Sequence, residues 1–506
     1  MASHLKTATV IGLDAVWIDV EADISAGLSA FSVVGLPDTA VQEARERVKS
    51  AIKHTGEEFP RHRVTVNLAP ADVKKSGTPF DLPIALAVLT ESGAIPQSAC
   101  HNTIFVGELG LDGSLRPVHG MLSIAMQAKL DGFSSIIVPE ANAPEAGLVE
   151  GLTVFAGQNL ASVIRHLQDT EKLPVFPFRT IGNNENQTWS YPDLAGIRGQ
   201  NQARRALEIA AAGGHNLLMQ GPPGSGKTLL ARAFPGILPH LTTSEALEAT
   251  RIHSVAGLLS PDGVVTQRPF RSPHHSASSV SLVGGGTIPK PGEISLAHRG
   301  VLFLDEFLEF PRHVLESLRQ PLEDGTVTVS RVGGTVTFPA RFSLVGAMNP
   351  CPCGYATDPD RTCICSPIQM AKYRKRLSGP LLDRIDLFLE VPKVSTNELA
   401  DPHANESSAQ VRQRVQTARD RQTQRLAALK LSTNSEMSSE LVRTMIDIRS
   451  EGRALLRNAV DRYKLSARSY FRIVKVARTI ADLSEDEKIS AEHIAEALTY
   501  RLDGWT

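Results

Sequence analysis

An α/β protein with a helical C-terminal region is predicted by three features of the sequence. Apolar β-type runs alternate with helical ones as far as about residue 395, the pattern that builds a largely parallel sheet. One run, Asn216-Leu217-Leu218-Met219-Gln220, leads through a glycine-rich loop into a helical segment, Thr228 to Phe234. After Ser395, β-branched runs become scarce. A polar, Arg-rich stretch from Gln410 to Lys430 precedes amphipathic segments at Leu441 to Asn458, Ala467 to Leu483 and Ser490 to Leu502.

The chain has 506 residues, 53 Lys and Arg against 54 Asp and Glu, and a net charge of −1. At about 150 residues per domain this length accommodates roughly three cores. The neutral balance excludes a protein that coats nucleic acid by bulk positive charge, but not one with a local basic patch. By region, residues 1–180 carry 14 basic against 20 acidic side chains, 181–395 carry 21 against 18, and 396–506 carry 18 against 16. No window approaches about 20 consecutive apolar residues. Asp14, Asp19 and Glu21 interrupt the N-terminal stretch early, so neither a membrane span nor a signal peptide is expected and a cytoplasmic location is.

Residues 1–172 read as an α/β domain, with strands at Val16 to Val20, Val64 to Leu68 and Ile136 to Val138 and helices at Thr39 to Lys53 and Leu82 to Leu89. Residues 173–192, with their prolines and Asn-rich centre, read as a linker. Residues 193–395 form the second α/β unit and 396–506 the helical one.

Gly221-Pro222-Pro223-Gly224-Ser225-Gly226-Lys227-Thr228 matches G-x-x-x-x-G-K-[ST] in its strand–loop–helix setting. Glycines let the backbone N–H groups turn towards phosphate oxygens, and the helix that follows adds a positive dipole end. Lys227 supplies charge for the β and γ phosphates, and Thr228 a hydroxyl ligand for Mg²⁺. Val301-Leu302-Phe303-Leu304 reads as a buried strand ending in Asp305-Glu306. Carboxylates at that edge of a parallel sheet lie where ligands bind. Asp305 is expected to position Mg²⁺, and Glu306 to act as general base on the attacking water. A further strand ends on Asn349, placed to orient that water or sense the γ-phosphate.

These motifs, with Leu377-Ser378-Gly379-Pro380-Leu381-Leu382-Asp383-Arg384-Ile385-Asp386-Leu387 and the segment Leu465 to Thr479, resemble an AAA+ ATPase. More narrowly they are similar to the branch that holds magnesium chelatase motor subunits and minichromosome maintenance helicases. From about residue 5 to 503 the chain resembles the YifB/ComM group of magnesium-chelatase-like bacterial proteins. The resemblance implies an AAA+ core with a C-terminal helical lid, ATP and Mg²⁺ as cofactors, and a homo-hexameric ring. It assigns Arg384 as an arginine finger acting on a neighbour's nucleotide and Arg468 as the sensor-2 arginine. Such a finger is worth ~10³ to 10⁵ in rate. Taken alone, each arginine would read as a surface ion pair.

The function implied is an ATP-driven DNA translocase or helicase promoting branch migration in homologous recombination during natural transformation, with recombination proteins as further partners. The alternative is a chelatase-type motor acting on a porphyrin-loading partner. Residues 323–338 alternate with period two around Gly333-Gly334, so they read as a β-hairpin with Arg331 near its tip. In this branch such a hairpin enters the ring's pore, where an arginine would meet DNA phosphates. The Gly/Ser/His-rich segment 268–286 resembles the branch's helix-2 insert. Its Arg271, His274 and His275 are candidate DNA contacts, with insert packing as the alternative.

Cys351-Pro352-Cys353 and Cys363-Ile364-Cys365 put four thiols within 15 residues. Four thiolates can hold a tetrahedral Zn²⁺. Structural zinc more often uses C-x₂-C pairs, and free or redox-active thiols are the other reading.

The segments Val64 to Leu89 and Gly107 to Lys129 resemble the proteolytic domain of Lon, whose chemistry needs a Ser–Lys dyad. Here Phe80 or Asp81 stands where the serine belongs, and the helix after Gly120 has no lysine before Lys129. A scaffold or DNA-facing collar without protease activity is expected.

Overall fold

The computed structural model describes residues 3–75, 77–182, 190–286, 289–331, 334–395, 398 and 405–501. The first unit is built on an eight-stranded sheet. Ser3–Ile11, Asp14–Ser25 and Arg63–Ala69 pair antiparallel in that order, with Ala30–Val34 parallel at the edge. On the other side of Ser3–Ile11, the strands Thr103–Phe105, Ser135–Pro139 and Thr153–Gly157 run parallel. Val175–Phe176, inside the stretch read as linker, closes that edge antiparallel to Thr153–Gly157.

Helix Thr39–His54 starts where the Asp38 carboxylate accepts the Val41 N–H, satisfying one of the orphan donors of the first turn. Its Val41, Ala44, Val48 and Ile52 recur at three- and four-residue spacing and meet Val64, Val66 and Leu68, the alternate residues of a strand. Helix Met121–Leu130 covers the opposite face, against Ala8, Ile104 and Ile136.

The second unit contains a five-stranded sheet with Phe270–Arg271, Val301–Leu304, Ser343–Met348, Leu217–Gln220 and Leu387–Glu390 in spatial order, all parallel. Leu217, Met219, Val301, Phe303, Val345 and Ala347 enter one core cluster. Their chain neighbours Leu218, Leu302, Leu304, Leu344 and Met348 enter another on the reverse face. A parallel sheet buried on both sides must be apolar at every position, which is why these strands read as continuous runs.

The C-terminal helices pack onto the first of those faces, so Val474, Ile480 and Ile494 share its core. A buried polar network joins the two. His215 lies 3.2 Å from Asp386 and 2.8 Å from Thr479, and Asn434 links Thr479 to Asp482. The amphipathic stretch Leu441 to Asn458 is two helices, Ser439–Met445 and Ser450–Tyr463. Between them Ile448 pairs in extended conformation with Ile489, a contact across some forty residues that overrides local periodicity.

Helix Thr243–Ala256 joins the second unit to the first. Arg251 bonds the Leu13 carbonyl, the Asp14 carboxylate and the Ser123 hydroxyl. Gly120 N–H meets the Ser254 carbonyl at 3.3 Å. Buried Glu145 accepts the Leu122 N–H at 2.6 Å and the Ser254 hydroxyl. Burial pushes its carboxyl up to about 7. Among the described residues, no helix is long and apolar enough to cross a membrane.

Candidate nucleotide site

The loop Gly221 to Gly226 leaves the C-terminal end of Leu217–Gln220, whose neighbours in the sheet are the fourth and fifth strands in chain order. That is the point where strand order reverses and ligands bind in open α/β sheets. Gly226 has φ +90°, and a Cβ there would meet nothing within 4 Å, so glycine is needed for backbone conformation rather than for space. Lys227 opens the helix Lys227–Ala233 and is 8% exposed. Its ammonium curls back on the loop, donating to the carbonyls of Gly221 and Pro222 at 2.8 Å each. Burial pushes its pKa down to about 8, against the opposing pull of Asp305.

Thr228 donates its hydroxyl to Asp305 Oδ2 at 2.8 Å. These two hard oxygen ligands, side by side at the loop, suit Mg²⁺. Asp305 Oδ1 accepts the N–H of Glu306 at 2.9 Å. Glu306 lies in the left-handed region, with φ +50°, a conformation uncommon outside glycine and concentrated at functional sites. Its half-exposed carboxylate stands 2.9 Å from Nδ1 of His275. Periodicity could not have revealed this pair, because His275 arrives from a different strand end. Asn349 immediately follows Ser343–Met348, and the Met348 carbonyl accepts the Gly221 N–H at 3.2 Å. Gln200, which no motif signalled, donates to the carbonyls of Ser225 and Pro392.

Arg384 and Arg468 are together elsewhere. With Asp383, Arg472 and Lys475 they line a cleft of about 700 Å³ that no residue of the 221–228 loop lines. Arg384 pairs with Glu323 and donates to the Pro380 carbonyl at 2.6 Å, leaving its buried Nε without a partner. Arg468 is 63% exposed and reaches Asp383 at 3.0 Å.

Arg271 is held by Glu293 through two bonds of 2.6 and 2.7 Å, and His274 lies 2.8 Å from the Ser276 hydroxyl. The hairpin pairs Thr326–Arg331 with Gly334–Pro339. Its tip residues 332–333 and the Arg331 side chain lie outside the described residues. Phe80 and Asp81 are both buried. Arg47 forks the Asp81 carboxylate at 2.6 and 3.0 Å, and Lys129 donates to the Gly151 carbonyl. The sulfurs of Cys351, Cys353, Cys363 and Cys365 all lie within 4.8 Å of one another.

Family models cover most of this architecture. The model described as magnesium chelatase, subunit ChlI, matches residues 193–399, that for subunit ChlI of Mg-chelatase matches 20–142, and its C-terminal counterpart matches 405–501. The uncharacterized protein YifB of Escherichia coli is 45% identical over 99% of this chain and 97% of its own length. Competence protein ComM of Haemophilus influenzae is 44% identical over 97% of this chain and 96% of its own. The magnesium-chelatase 38 kDa subunit of Rhodobacter capsulatus is 29% identical over 35% of this chain and 51% of its own. With a nucleotide-binding motif at the switch point of a parallel sheet and likeness along nearly the full length, the chain belongs to the YifB/ComM family of magnesium-chelatase-like AAA+ proteins.

Proposed function

We propose that this protein is an ATP-driven, hexameric ring translocase that moves on DNA and promotes branch migration in homologous recombination during natural transformation. The observation that carries the reading is the separation of two half-sites on one chain. The phosphate loop and its carboxylates lie in one place, and Arg384 and Arg468 share a cleft in another. Copies arranged head to tail would complete each site, and a ring is the closed form of such an interface.

In each site Lys227 would swing from the loop carbonyls onto the β and γ phosphates. Thr228 and Asp305 would hold Mg²⁺, which neutralises phosphate charge. Glu306 would accept the proton of the attacking water, with Asn349 orienting that water. Arg384 from the neighbouring copy would stabilise charge on the transferred phosphoryl group, with Arg468 beside it. Arg331 at the hairpin tip would meet the DNA backbone in the pore, with His274 as an accessory contact. Arg271, tied to Glu293, and His275, beside Glu306, are better placed to shape the insert than to reach DNA. The four-cysteine loop would hold Zn²⁺, and residues 1–172 would serve as a Lon-like collar without a dyad.

Relatedness to a protein named for competence, along almost the whole chain, supports DNA as the substrate. The porphyrin-directed alternative draws on a likeness confined to 35% of the chain. ATPase turnover measured with single-stranded, forked and four-way DNA, beside strand-displacement assays, tests the proposal. Stimulation with strand movement is expected. Turnover indifferent to DNA, with no movement, would sink it.

A further inference from the structure

The segment from Cys351 to Ser366 has little to hold it in place by burial. Only Cys351 and Gly354 within it are buried, and its intervening residues are mostly polar. Its sulfurs nonetheless converge, with Cys351 3.3 Å from Cys353 and Cys363 3.6 Å from each of them. Four sulfurs on a tetrahedron about a Zn²⁺, at about 2.3 Å each, would stand roughly 3.8 Å apart. The Cys353 N–H points at Cys365 Sγ at 3.4 Å. Soft sulfur ligands select zinc over Mg²⁺.

This loop is wedged against the nucleotide site. It starts two residues after Asn349, which follows the strand whose Met348 carbonyl accepts the Gly221 N–H. Gly354 has φ +87°, and a Cβ there would stand 2.9 Å from the Pro223 ring and 3.8 Å from Asn349 Cγ. Beyond Cys365, Ser366 caps the helix Pro367–Arg374. That helix buries Tyr373. Lys393, just past the strand bordering Leu217–Gln220, reaches Asp360 inside the loop at 2.5 Å.

We infer that the four cysteines hold a Zn²⁺ that acts as a strut of the phosphate loop, so that occupancy of the metal site sets nucleotide affinity. The inference rests on the zinc reading proposed above and adds a purpose to it: the ion braces the wall on which Pro223 and Asn349 lean.

The test uses the full chain. Elemental analysis is expected to find one zinc per chain, and cobalt substitution to give thiolate-to-metal absorption bands. Depletion with a zinc-selective chelator should weaken binding of a fluorescent ATP analogue, in constant Mg²⁺, by roughly tenfold, with recovery on adding Zn²⁺. Gly354→Ala, which leaves every cysteine in place, should retain zinc and lose similar affinity. Stoichiometric zinc whose removal leaves affinity unchanged overturns the strut while the metal reading stands. Absence of zinc together with no cobalt uptake overturns both. Where depletion unfolds the chain, as circular dichroism would show, Gly354→Ala decides: unaltered affinity in that variant overturns the strut.

Discussion

The phosphate loop and the arginine cleft differ in how completely each chain satisfies them. At the loop, every charged group has a partner from its own chain: Lys227 on two carbonyls, Thr228 on Asp305, and Glu306 beside His275. In the cleft, Arg468 is mostly exposed on one carboxylate, and Arg384 keeps a buried Nε unpaired. A preorganised donor set lowers the cost of binding a ligand. The exposed Arg468 can meet a charge from outside, whereas Arg384 must first leave Glu323 to do so. Under the ring proposed above, one copy would bind the nucleotide and the next would help to hydrolyse it.

The sharpest way to break that contrast is to mix two dead variants. Arg384→Ala and Glu306→Gln should each lower turnover by ~10³ or more, while keeping ATP binding. Mixed in one assembly they should regain part of it, because some interfaces then pair an intact arginine with an intact carboxylate. ATPase assays of the mixture that stay at background would place Arg384 in its own chain's site.

Lys227→Ala comes next, and it should act on binding rather than on chemistry. Losing a buried charge partner costs about 2 to 5 kcal/mol, so ATP affinity measured by calorimetry should fall about thirtyfold or more. An affinity within a few fold of the parent would mean that the ammonium stays on the loop carbonyls.

Away from both half-sites, Glu145 offers a pH handle on the junction between the first unit and helix Thr243–Ala256. Burial raises its folded-state pKa from 4.5 to about 7. Between those values the folded chain binds more protons than the unfolded one, so stability falls as pH rises across that window and levels off above it. The upper bound is on the order of 3 kcal/mol. Melting temperatures from pH 5 to 8 should show the decline, and Glu145→Gln should flatten it. A parallel decline in the variant would assign the effect to other groups.

The smallest expected effect is structural. Arg468→Ala removes an exposed pair worth under about 1 kcal/mol, so thermal stability should hardly move while turnover falls. A large drop in melting temperature would make Arg468 a structural residue and blur the distinction between the two regions.

Much of this was legible in the sequence. The core strands announce themselves because burial on both faces demands continuous apolar runs. The loop 221–228 does so because phosphate contact needs glycine at fixed positions. The placement of Asp305 and Glu306 was legible because they end a buried apolar strand, and Asp305 does meet Thr228 of the loop. The hairpin flanks 326–331 and 334–339 followed from strict alternation and pair in register. What was not legible depends on distant partners. The Ile448–Ile489 pairing splits one amphipathic stretch into two helices, and Val175–Phe176 becomes a strand only because an edge of the first sheet accepts it. His275 beside Glu306 and Gly354 against Pro223 are likewise meetings of separate strand ends and loops.

By itself, then, the sequence determined that this is an α/β protein with a phosphate loop, paired carboxylates and a helical C-terminal region. Those features are written in local spacing and in the polarity of short segments. Only the tertiary structure decided that Arg384 and Arg468 share a cleft apart from the loop, that four cysteines converge, and that their turn leans on Pro223. Such relations arise from packing between segments far apart in the chain, where the free energy depends on the whole arrangement and no local pattern records it.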